Sequence, residues 1–285
     1  MKGGFIYEPE KESDFPICMA YDDSEDIEIP RNFKTSYQPP YEDQGSTGNC
    51  VAQTIANIME VMYHKMMGKH NNFSVGFIYG NRKKGQSKSS GMTGYTACGN
   101  LCEDGDVKAC EFESNYEVPD IIDKVNEFKE QFPKWKESAY IPKSYIRTKS
   151  EKEVKKFIYK YDIPVMAVVK VSKFWYGEGY HAMALYGWKN GDTAIMQNSW
   201  GEDSNAKIVE LDFDDIKDFW LINPFSLMNF TDVPETHWAY GDIAKAVENE
   251  IILGYPDGSF RPSKDLTRAE VAAIIYRMLK EDGKI

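Results

Sequence analysis

The 285-residue sequence has no excess of basic side chains: 34 lysines and arginines stand against 45 aspartates and glutamates, a formal net charge of −11. A nucleic-acid binder needs a basic stripe to neutralise phosphates, so this balance argues against nucleic acid as a partner. No run of 18 apolar residues occurs, and we expect no transmembrane segment. The first residues lack the apolar core of a signal peptide, which leaves open a removed leader, another export route or an internal location.

Histidine and cysteine are also scarce, with four and five copies. Cys98, Cys102 and Cys110 form no CxxC pair and have no histidine close by in the sequence, so we expect no metal site, and nothing indicates another cofactor. Together with Cys18, these cysteines either form two disulfide bridges or stay reduced, and the sequence leaves both readings open.

What is present is a small-residue loop from Asp43 to Asn49, followed at Cys50 by a helical pattern. The apolar residues that recur at three- and four-residue steps are Val51, Ile55, Ile58, Met62 and Met66, and Gly68 stands where the helix would end. The pattern places Cys50 at a helix N-terminus, where unpaired N–H groups favour a thiolate nucleophile. The alternative is that Cys50 is a small buried residue.

A second signal is a predicted hairpin centred on Asn190-Gly191, which lies between two strand-like runs. Pairing about this turn places Asn198 opposite Met183 and Trp200 opposite His181. His181 and Asn198 then become diagonal neighbours on one face, roughly 7–8 Å apart at the backbone. Turn chemistry alone therefore brings a histidine and an asparagine together.

These segments resemble the papain-like cysteine peptidases of bacteria. The resemblance is carried by Gln44, six positions before Cys50, and by His181 and the string Asn198-Ser199-Trp200-Gly201, in the family's order and spacing. The chain departs from the family pattern at Thr47, Val51, Gln53 and Tyr180, which replace a cysteine, two aromatic residues and an aspartate.

The resemblance implies an α+β, two-lobed fold, in which a helical lobe carries Cys50 and an antiparallel β lobe carries His181 and Asn198. It implies that Cys50 is the nucleophile, that His181 is the proton donor oriented by Asn198, and that Gln44 forms an oxyanion hole with the Cys50 N–H. The residues implied to line or cover the substrate cleft are Trp200, Tyr180, Ser90 and Gly91.

The composition changes after the peptidase-like region. Phe230-Thr231-Asp232-Val233-Pro234 and Thr267-Arg268-Ala269-Glu270 resemble the signatures of an S-layer homology (SLH) module. The resemblance implies that secondary cell-wall polysaccharide is bound through Trp238, Thr267, Arg268 and Glu270. Thr267 and Glu270 also fit a simple helix capping box. Family members usually present three modules together, so the single module here implies weak anchoring unless three chains associate in a trimer or the module serves another purpose.

The expected organisation is an acidic arm (1–28), a cysteine peptidase domain (29–222), a linker (223–228) and one helical SLH module (229–285). The predicted function is hydrolysis of peptide bonds in proteins by an extracellular cysteine endopeptidase associated with the bacterial cell wall or S-layer. The alternatives are a catalytically inert surface-binding protein, and a papain-fold acyl transferase or peptidoglycan peptidase.

Overall fold

The computed structural model describes residues 4–9, 27–82, 91–113, 120–142, 144–173, 177–223, 230, 232–234, 236–248, 251–252 and 259–281. Most of the predicted acidic arm and of the linker, as well as Cys18 and Ser90, lie outside these residues. The chain divides into two compact units: residues 1–65 with 69–225, and residues 66–68 with 226–285. The finer domain boundaries stay predictions. Among the described helices, none is long and apolar enough to cross a membrane.

The elements alternate between helices and short strands. The helices are α1 (Cys50–Met67), α2 (Val75–Gly80), α3 (Gly94–Asp104), α4 (Ile121–Gln131), α5 (Glu151–Tyr161), α6 (Tyr240–Glu248) and α7 (Arg268–Glu281). The strands are β1 (Phe33–Lys34), β2 (Tyr145–Thr148), β3 (Val165–Lys170), β4 (Tyr180–Lys189), β5 (Thr193–Gln197), β6 (Ile208–Asp212) and β7 (Ile216–Ile222).

Within the described residues, all seven strands join one antiparallel sheet in the order β2-β7-β3-β4-β5-β6, and β1 pairs with β4. Gly187 is required where β1 meets β4, because a Cβ there would lie 2.1 Å from the carbonyl oxygen of Phe33. β3 is buried along almost its whole length, as its continuous apolar run predicts. The α+β class with an antiparallel sheet is confirmed.

Helix α1 links the helical half of this unit to the sheet. It begins at Cys50, as the apolar spacing predicts, and Gly68 follows it with a φ of 70°. Val61 of α1 packs against Ala184 and Tyr186 of β4. This contact holds α1 against the strand that carries His181.

A separate apolar cluster joins α2 and α4 to the segment after α3, and its buried members are Phe77, Val107, Val125 and Trp135. Ser74 caps α2, because its Oγ accepts a hydrogen bond of 3.0 Å from the N–H of Phe77. The stretch from 80 to 95 is rich in glycine, serine and lysine, which predicts a surface loop. This prediction is wrong at the end of the stretch, since Gly91 and Met92 are buried and α3 begins at Gly94. A Cβ at Gly94 would lie 2.4 Å from the Trp220 ring, so glycine lets α3 approach the sheet.

The hairpin β4–β5 differs from its predicted register at the turn. Lys189 pairs with Thr193, so the loop has three residues (190–192) instead of two. A bulge between Leu185 and Gly187 absorbs the extra residue, and Ala184 pairs with Gln197, as the predicted register requires. β5 then ends at Gln197, so Asn198 follows the strand and is not paired within it. Because of the bulge, the residues of β5 near His181 lie on the face of the hairpin that the predicted register gives them.

The second unit has a small core of its own, formed by Val233, Ala239, Ile243 and Ala244. The Asp232 carboxylate accepts backbone hydrogen bonds from Phe260 (2.8 Å) and Arg261 (2.7 Å) and so ties two segments together. The spacing of Trp238, Ile243 and Val247 predicts one apolar stripe on a helix. The prediction is wrong for Trp238, because α6 begins two residues later and Trp238 is 90% exposed.

A buried carboxyl group and a buried ion pair lie in the first unit. Glu60, on α1, is 2% exposed and accepts a hydrogen bond of 3.3 Å from the Phe73 N–H. Burial, together with the negative charge of Glu42, raises the pKa of Glu60 to about 8. Arg147 on β2 forms a bidentate ion pair with Asp218 on β7, at 3.1 and 3.0 Å, and both side chains are almost completely buried.

We expect Asp218→Asn to lower the free energy of unfolding by about 3–5 kcal/mol, because it leaves the buried Arg147 charge without its counter-ion. Urea unfolding followed by tryptophan fluorescence measures the change. Glu210→Gln is the matched control: it breaks the exposed pair with Lys189 (2.6 Å) and should cost about 1 kcal/mol or less. Equal losses in the two variants would contradict a stabilising role specific to the buried pair.

Candidate active site

The loop before α1 is held closed by its own hydrogen bonds. Thr47 donates from its hydroxyl to the Gln44 carbonyl (2.7 Å), and the Gln44 side-chain Nε2 donates to the Thr47 carbonyl (2.9 Å). Gly45 adopts a φ of 57°, which a residue with a side chain rarely does. These bonds place Cys50 as the first residue of α1, where its side chain is 0% exposed.

His181 and Asn198 come together as predicted from the hairpin. The His181 Nε2 atom lies 2.8 Å from the Asn198 Oδ1 atom, and both side chains are buried. His181 lies at the start of β4, and Asn198 lies directly after β5. The two strands therefore bring the imidazole and the amide to the same end of the ribbon.

The orientation of the Asn198 amide is set by its other contacts. Its Nδ2 donates to the Ala206 carbonyl (2.9 Å), and its Oδ1 accepts from the Ser199 N–H (2.9 Å). The oxygen must therefore face His181, so His181 Nε2 carries the proton and donates it. In the neutral imidazole, the other ring nitrogen, Nδ1, is then the basic one.

Gln44 is joined directly to the asparagine segment. Its Oε1 accepts a hydrogen bond of 2.6 Å from the Ser199 hydroxyl, and its backbone N–H donates to the Ser199 carbonyl (2.8 Å). Sequence reasoning missed this contribution of Ser199, because nothing in the order of residues indicates that the two loops meet. Ser199 therefore fixes which end of the Gln44 amide faces the loop before Cys50.

Trp200 and Tyr180 flank the histidine. The Trp200 ring centroid lies 5.4 Å from that of His181, at an angle of 47°. Tyr180 is half-buried and stacks on Tyr7, with ring centroids 5.0 Å apart. Gly91 is buried with a φ of 72°, and Ser90 lies outside the described residues. Trp200, Tyr180 and Gly91 stay candidates for the cleft.

The electrostatics differ from the sequence prediction. Burial raises the pKa of the Cys50 thiol to about 11, although hydrogen bonds from backbone groups of Ala182 and Gly4 act to lower it. Burial also lowers the pKa of His181 to about 4, against the opposite effect of the Asn198 hydrogen bond. These shifts disfavour the predicted thiolate in this conformation, because complete desolvation outweighs the effect of the helix N-terminus. They favour the neutral form of both groups.

The remaining described cysteines, Cys98, Cys102 and Cys110, are free thiols, like Cys50. In the second unit, Thr267 and Glu270 form the capping box: the Thr267 N–H donates to Glu270 Oε2 (2.7 Å), and the Glu270 N–H donates to Thr267 Oγ1 (3.2 Å). These bonds, with the nearby Lys264, lower the pKa of Glu270 to about 2. Arg268 and Trp238 are exposed.

Residues 229–272 match the S-layer homology domain family. A cellulosome-anchoring protein of Acetivibrio thermocellus is 43% identical over 60 residues, which are 21% of this chain and 13% of that protein. The outer membrane protein SlpA of Thermus thermophilus is 46% identical over 57 residues, 20% of this chain and 6% of that protein. The chain thus spans only a small part of the length of these curated relatives.

The similarity to solved structures covers most of the chain. Xylellain, a cysteine protease from Xylella fastidiosa, superposes with a TM-score of 0.62 at 19% identity and covers 78% of this chain and 95% of its own. Procathepsin B of Trypanosoma congolense superposes with a TM-score of 0.57 at 14% identity, over 78% and 86%. At these identities the likeness establishes the fold, and it confirms the expected architecture.

Both resemblances seen in the sequence are thus confirmed, and the chain combines the papain-like cysteine protease fold with an S-layer homology domain.

Proposed function

We propose that the chain is a cysteine endopeptidase that hydrolyses peptide bonds in proteins, with residues 29–222 as its catalytic domain. The observation that carries the proposal is the buried 2.8 Å hydrogen bond between His181 and Asn198, in a fold that also places Cys50 at a helix N-terminus. A thiol nucleophile needs a base that is held in a fixed orientation, and an amide that binds one imidazole nitrogen provides this orientation.

In the first half of the reaction, the Cys50 thiol gives its proton to His181 Nδ1, and the sulfur attacks the carbonyl carbon of the substrate. A C–S bond forms, and the carbonyl oxygen becomes an oxyanion. The imidazolium then passes its proton to the amine nitrogen while the C–N bond breaks. Asn198 Oδ1 keeps the ring aligned through both transfers, because it accepts a hydrogen bond from Nε2 in either protonation state.

In the second half, water takes the place of the amine. His181 removes a proton from the water, and the resulting hydroxide attacks the thioester carbon. The C–S bond then breaks to release the carboxylic acid, and the imidazolium returns its proton to the sulfur, which restores the thiol. Gln44 Nε2, which gives one N–H to Thr47, directs its second N–H at the oxyanion together with the Cys50 N–H. The Ser199 hydroxyl on Gln44 Oε1 holds the amide in that orientation.

We expect Cys50→Ala to lower casein hydrolysis by about 10⁴-fold or more, because the nucleophile is lost while the fold is kept. The assay is run with reductant, and a thermal melt checks the fold. Cys110→Ala, at an exposed free cysteine, is the matched control and should retain full activity. Substantial casein hydrolysis by the Cys50→Ala variant would contradict the assignment of Cys50 as the nucleophile.

We also propose that the second unit (229–285) attaches the enzyme to the bacterial cell surface by binding anionic secondary cell-wall polysaccharide. Arg268 is exposed at the first position of α7, and Trp238 presents its ring to solvent. A guanidinium forms paired hydrogen bonds with a carboxylate, such as that of a pyruvyl group. The capping box explains Thr267 and Glu270 and leaves Arg268 available to the ligand.

Arg268→Ala should weaken binding to pyruvylated cell wall by at least about tenfold, since hydrogen bonds to charged groups contribute about 1.5–3 kcal/mol. Co-sedimentation with purified wall measures the bound fraction. Arg31→Ala removes an exposed arginine of the first unit and should leave sedimentation unchanged. If the Arg268 variant sediments like the wild type, the assigned anchoring residue is wrong.

The proposed assembly is a trimer formed through the second unit. Several large apolar side chains on or next to α7 are 40–60% exposed: Leu266, Val271, Ile275, Tyr276 and Met278. Of these residues, Val271, Ile275 and Met278 share one face of α7 by their three- and four-residue spacing. An exposed apolar face of this kind is normally covered by a partner, and the S-layer homology family usually presents its modules in threes.

Ile275→Lys should convert the trimer to a monomer, because a charge would be buried in the contact. Sedimentation velocity measures the mass. Phe132→Lys is the control, since Phe132 is an exposed apolar residue of the first unit at 55% exposure. A wild-type chain that stays monomeric at every concentration tested would contradict the trimer.

A further inference from the structure

Gln53 is a buried amide side chain near the start of α1. It follows Cys50 by three residues and is only 2% exposed. Residues three apart on a helix are neighbours on one face, so Gln53 lies next to the candidate nucleophile along α1. The papain-like pattern has an aromatic residue at this position, so the amide is a feature of this chain. A buried polar group at such a place calls for a physical explanation.

The Gln53 amide has no hydrogen-bond partner among the described residues. Its Oε1 and Nε2 atoms are both buried and unpaired, and so are the two amide atoms of Asn49, which is 0% exposed. The Gln53 N–H donates to the Asn49 carbonyl (3.0 Å), so the two residues lie one helical turn apart and their side chains are neighbours. A hydrogen bond between the two amides would still leave one polar atom of Gln53 buried without a partner, which is unfavourable. Gln53 therefore requires a further partner.

Gln53 lines a small cavity between α1 and the β4–β5 hairpin. Polar residues line the cavity from both sides: Gln53, Thr54 and Asn57 from α1, and Gln197, Asn198 and Ser199 from the end of the hairpin. The cavity offers about 10 Å³ to the centre of a water molecule, which is room for one water. A water in a polar cavity both donates and accepts, and it makes roughly two to four hydrogen bonds. Water therefore matches the partner that Gln53 requires.

The hairpin side of the cavity contains the residues that orient the candidate catalytic groups. Asn198 Oδ1 accepts the hydrogen bond from His181, while Asn198 Nδ2 gives one of its two N–H groups to the Ala206 carbonyl. The second N–H of Nδ2 is a donor for a molecule in the cavity. Ser199, which also lines the cavity, holds the Gln44 amide through its hydroxyl. A water at this place lies beside the two residues that orient His181 and Gln44.

We propose that Gln53 is a positioning residue that binds one water molecule in this cavity and, through it, fixes Asn198 relative to Cys50. The inference rests on the proposed peptidase function. The Gln53 amide holds the water from α1, and Asn198 Nδ2 donates to the water oxygen from the hairpin. The water therefore joins the helix that carries the sulfur to the segment that orients His181. Without the water, the imidazole loses its fixed position relative to the sulfur, and the proton transfer between them slows.

The first variant is Gln53→Met in the full chain, which keeps the length of the side chain and removes its hydrogen bonds. We expect kcat for casein hydrolysis to fall about tenfold, the factor that loss of one hydrogen bond gives. KM should stay unchanged, because Gln53 is buried and a substrate does not reach it. Gln131→Met, at an exposed glutamine of α4, is the matched control and should keep the wild-type kcat. An unchanged kcat in Gln53→Met overturns the positioning role.

A second variant, Gln53→Glu, separates a positioning role from a purely structural one. The protonated carboxyl has a donor and an acceptor, as the amide does, whereas the ionised form only accepts. Burial beside Glu42, the ionisable residue of the cavity lining, raises the pKa of the new carboxyl above the ordinary glutamate value. The kcat of this variant, divided by that of the wild type, should therefore be near one at about pH 5 and fall about tenfold by about pH 8. A ratio that stays constant over this range contradicts the role of the hydrogen bonds.

High-resolution crystal structures of the wild type and of Gln53→Met separate this inference from the proposed function. Density for a water within hydrogen-bond distance of Gln53 and Asn198, lost in the variant, supports the water site. A wild-type cavity without this density overturns the inference, whether or not casein is cleaved. A wild-type chain that holds the water and does not cleave casein overturns the peptidase assignment and still supports the water site.

Discussion

The arrangement of the candidate active site depends on the orientation of one buried amide. Asn198 Nδ2 donates a hydrogen bond to a backbone carbonyl of the loop after β5, and Asn198 Oδ1 accepts one from the N–H of the next residue. A flipped amide would leave buried donors facing donors, at a cost of about 1–3 kcal/mol for each unpaired group. The amide thus fixes the tautomer of His181, and with it the nitrogen available to the thiol. Ser199 extends the same constraint to Gln44.

Much of this site could be predicted because it is encoded locally. Apolar spacing places Cys50 at the start of α1, and a turn signal places His181 beside Asn198. The predicted hairpin has the wrong loop length, yet the bulge at Leu185 restores the register where it matters. Local signals of this kind are sufficient to predict helices, strands and the pairing of adjacent strands. The fold class then follows from the order of these elements along the chain.

Other features could not be predicted because they depend on contacts between segments that are far apart in the sequence. The thiol pKa reverses direction once residues far away in the sequence remove all water from Cys50. The exposure of Trp238 depends on where α6 begins. The spacing of apolar residues does not determine the first residue of a helix to within two positions. The backbone hydrogen bonds of Phe5 to Tyr180 and of Ile6 to Met92 have no sequence signal except a glycine before an aromatic residue. They depend on Gly4 lying too close to the backbones of Gly48 and Gly91 to leave room for a side chain.

The buried carboxyl of Glu60 has a consequence for how many protons the chain carries. Its pKa is raised from 4.5 to about 8 in the folded chain, so at neutral pH the folded protein holds a proton that the unfolded chain releases. Its contribution to stability is fully present below pH 4.5 and declines as the pH rises towards 8. Folding at neutral pH is therefore coupled to proton uptake from the buffer. The protonated Glu60 side chain thus removes one of the negative charges that are counted in the formal net charge of −11.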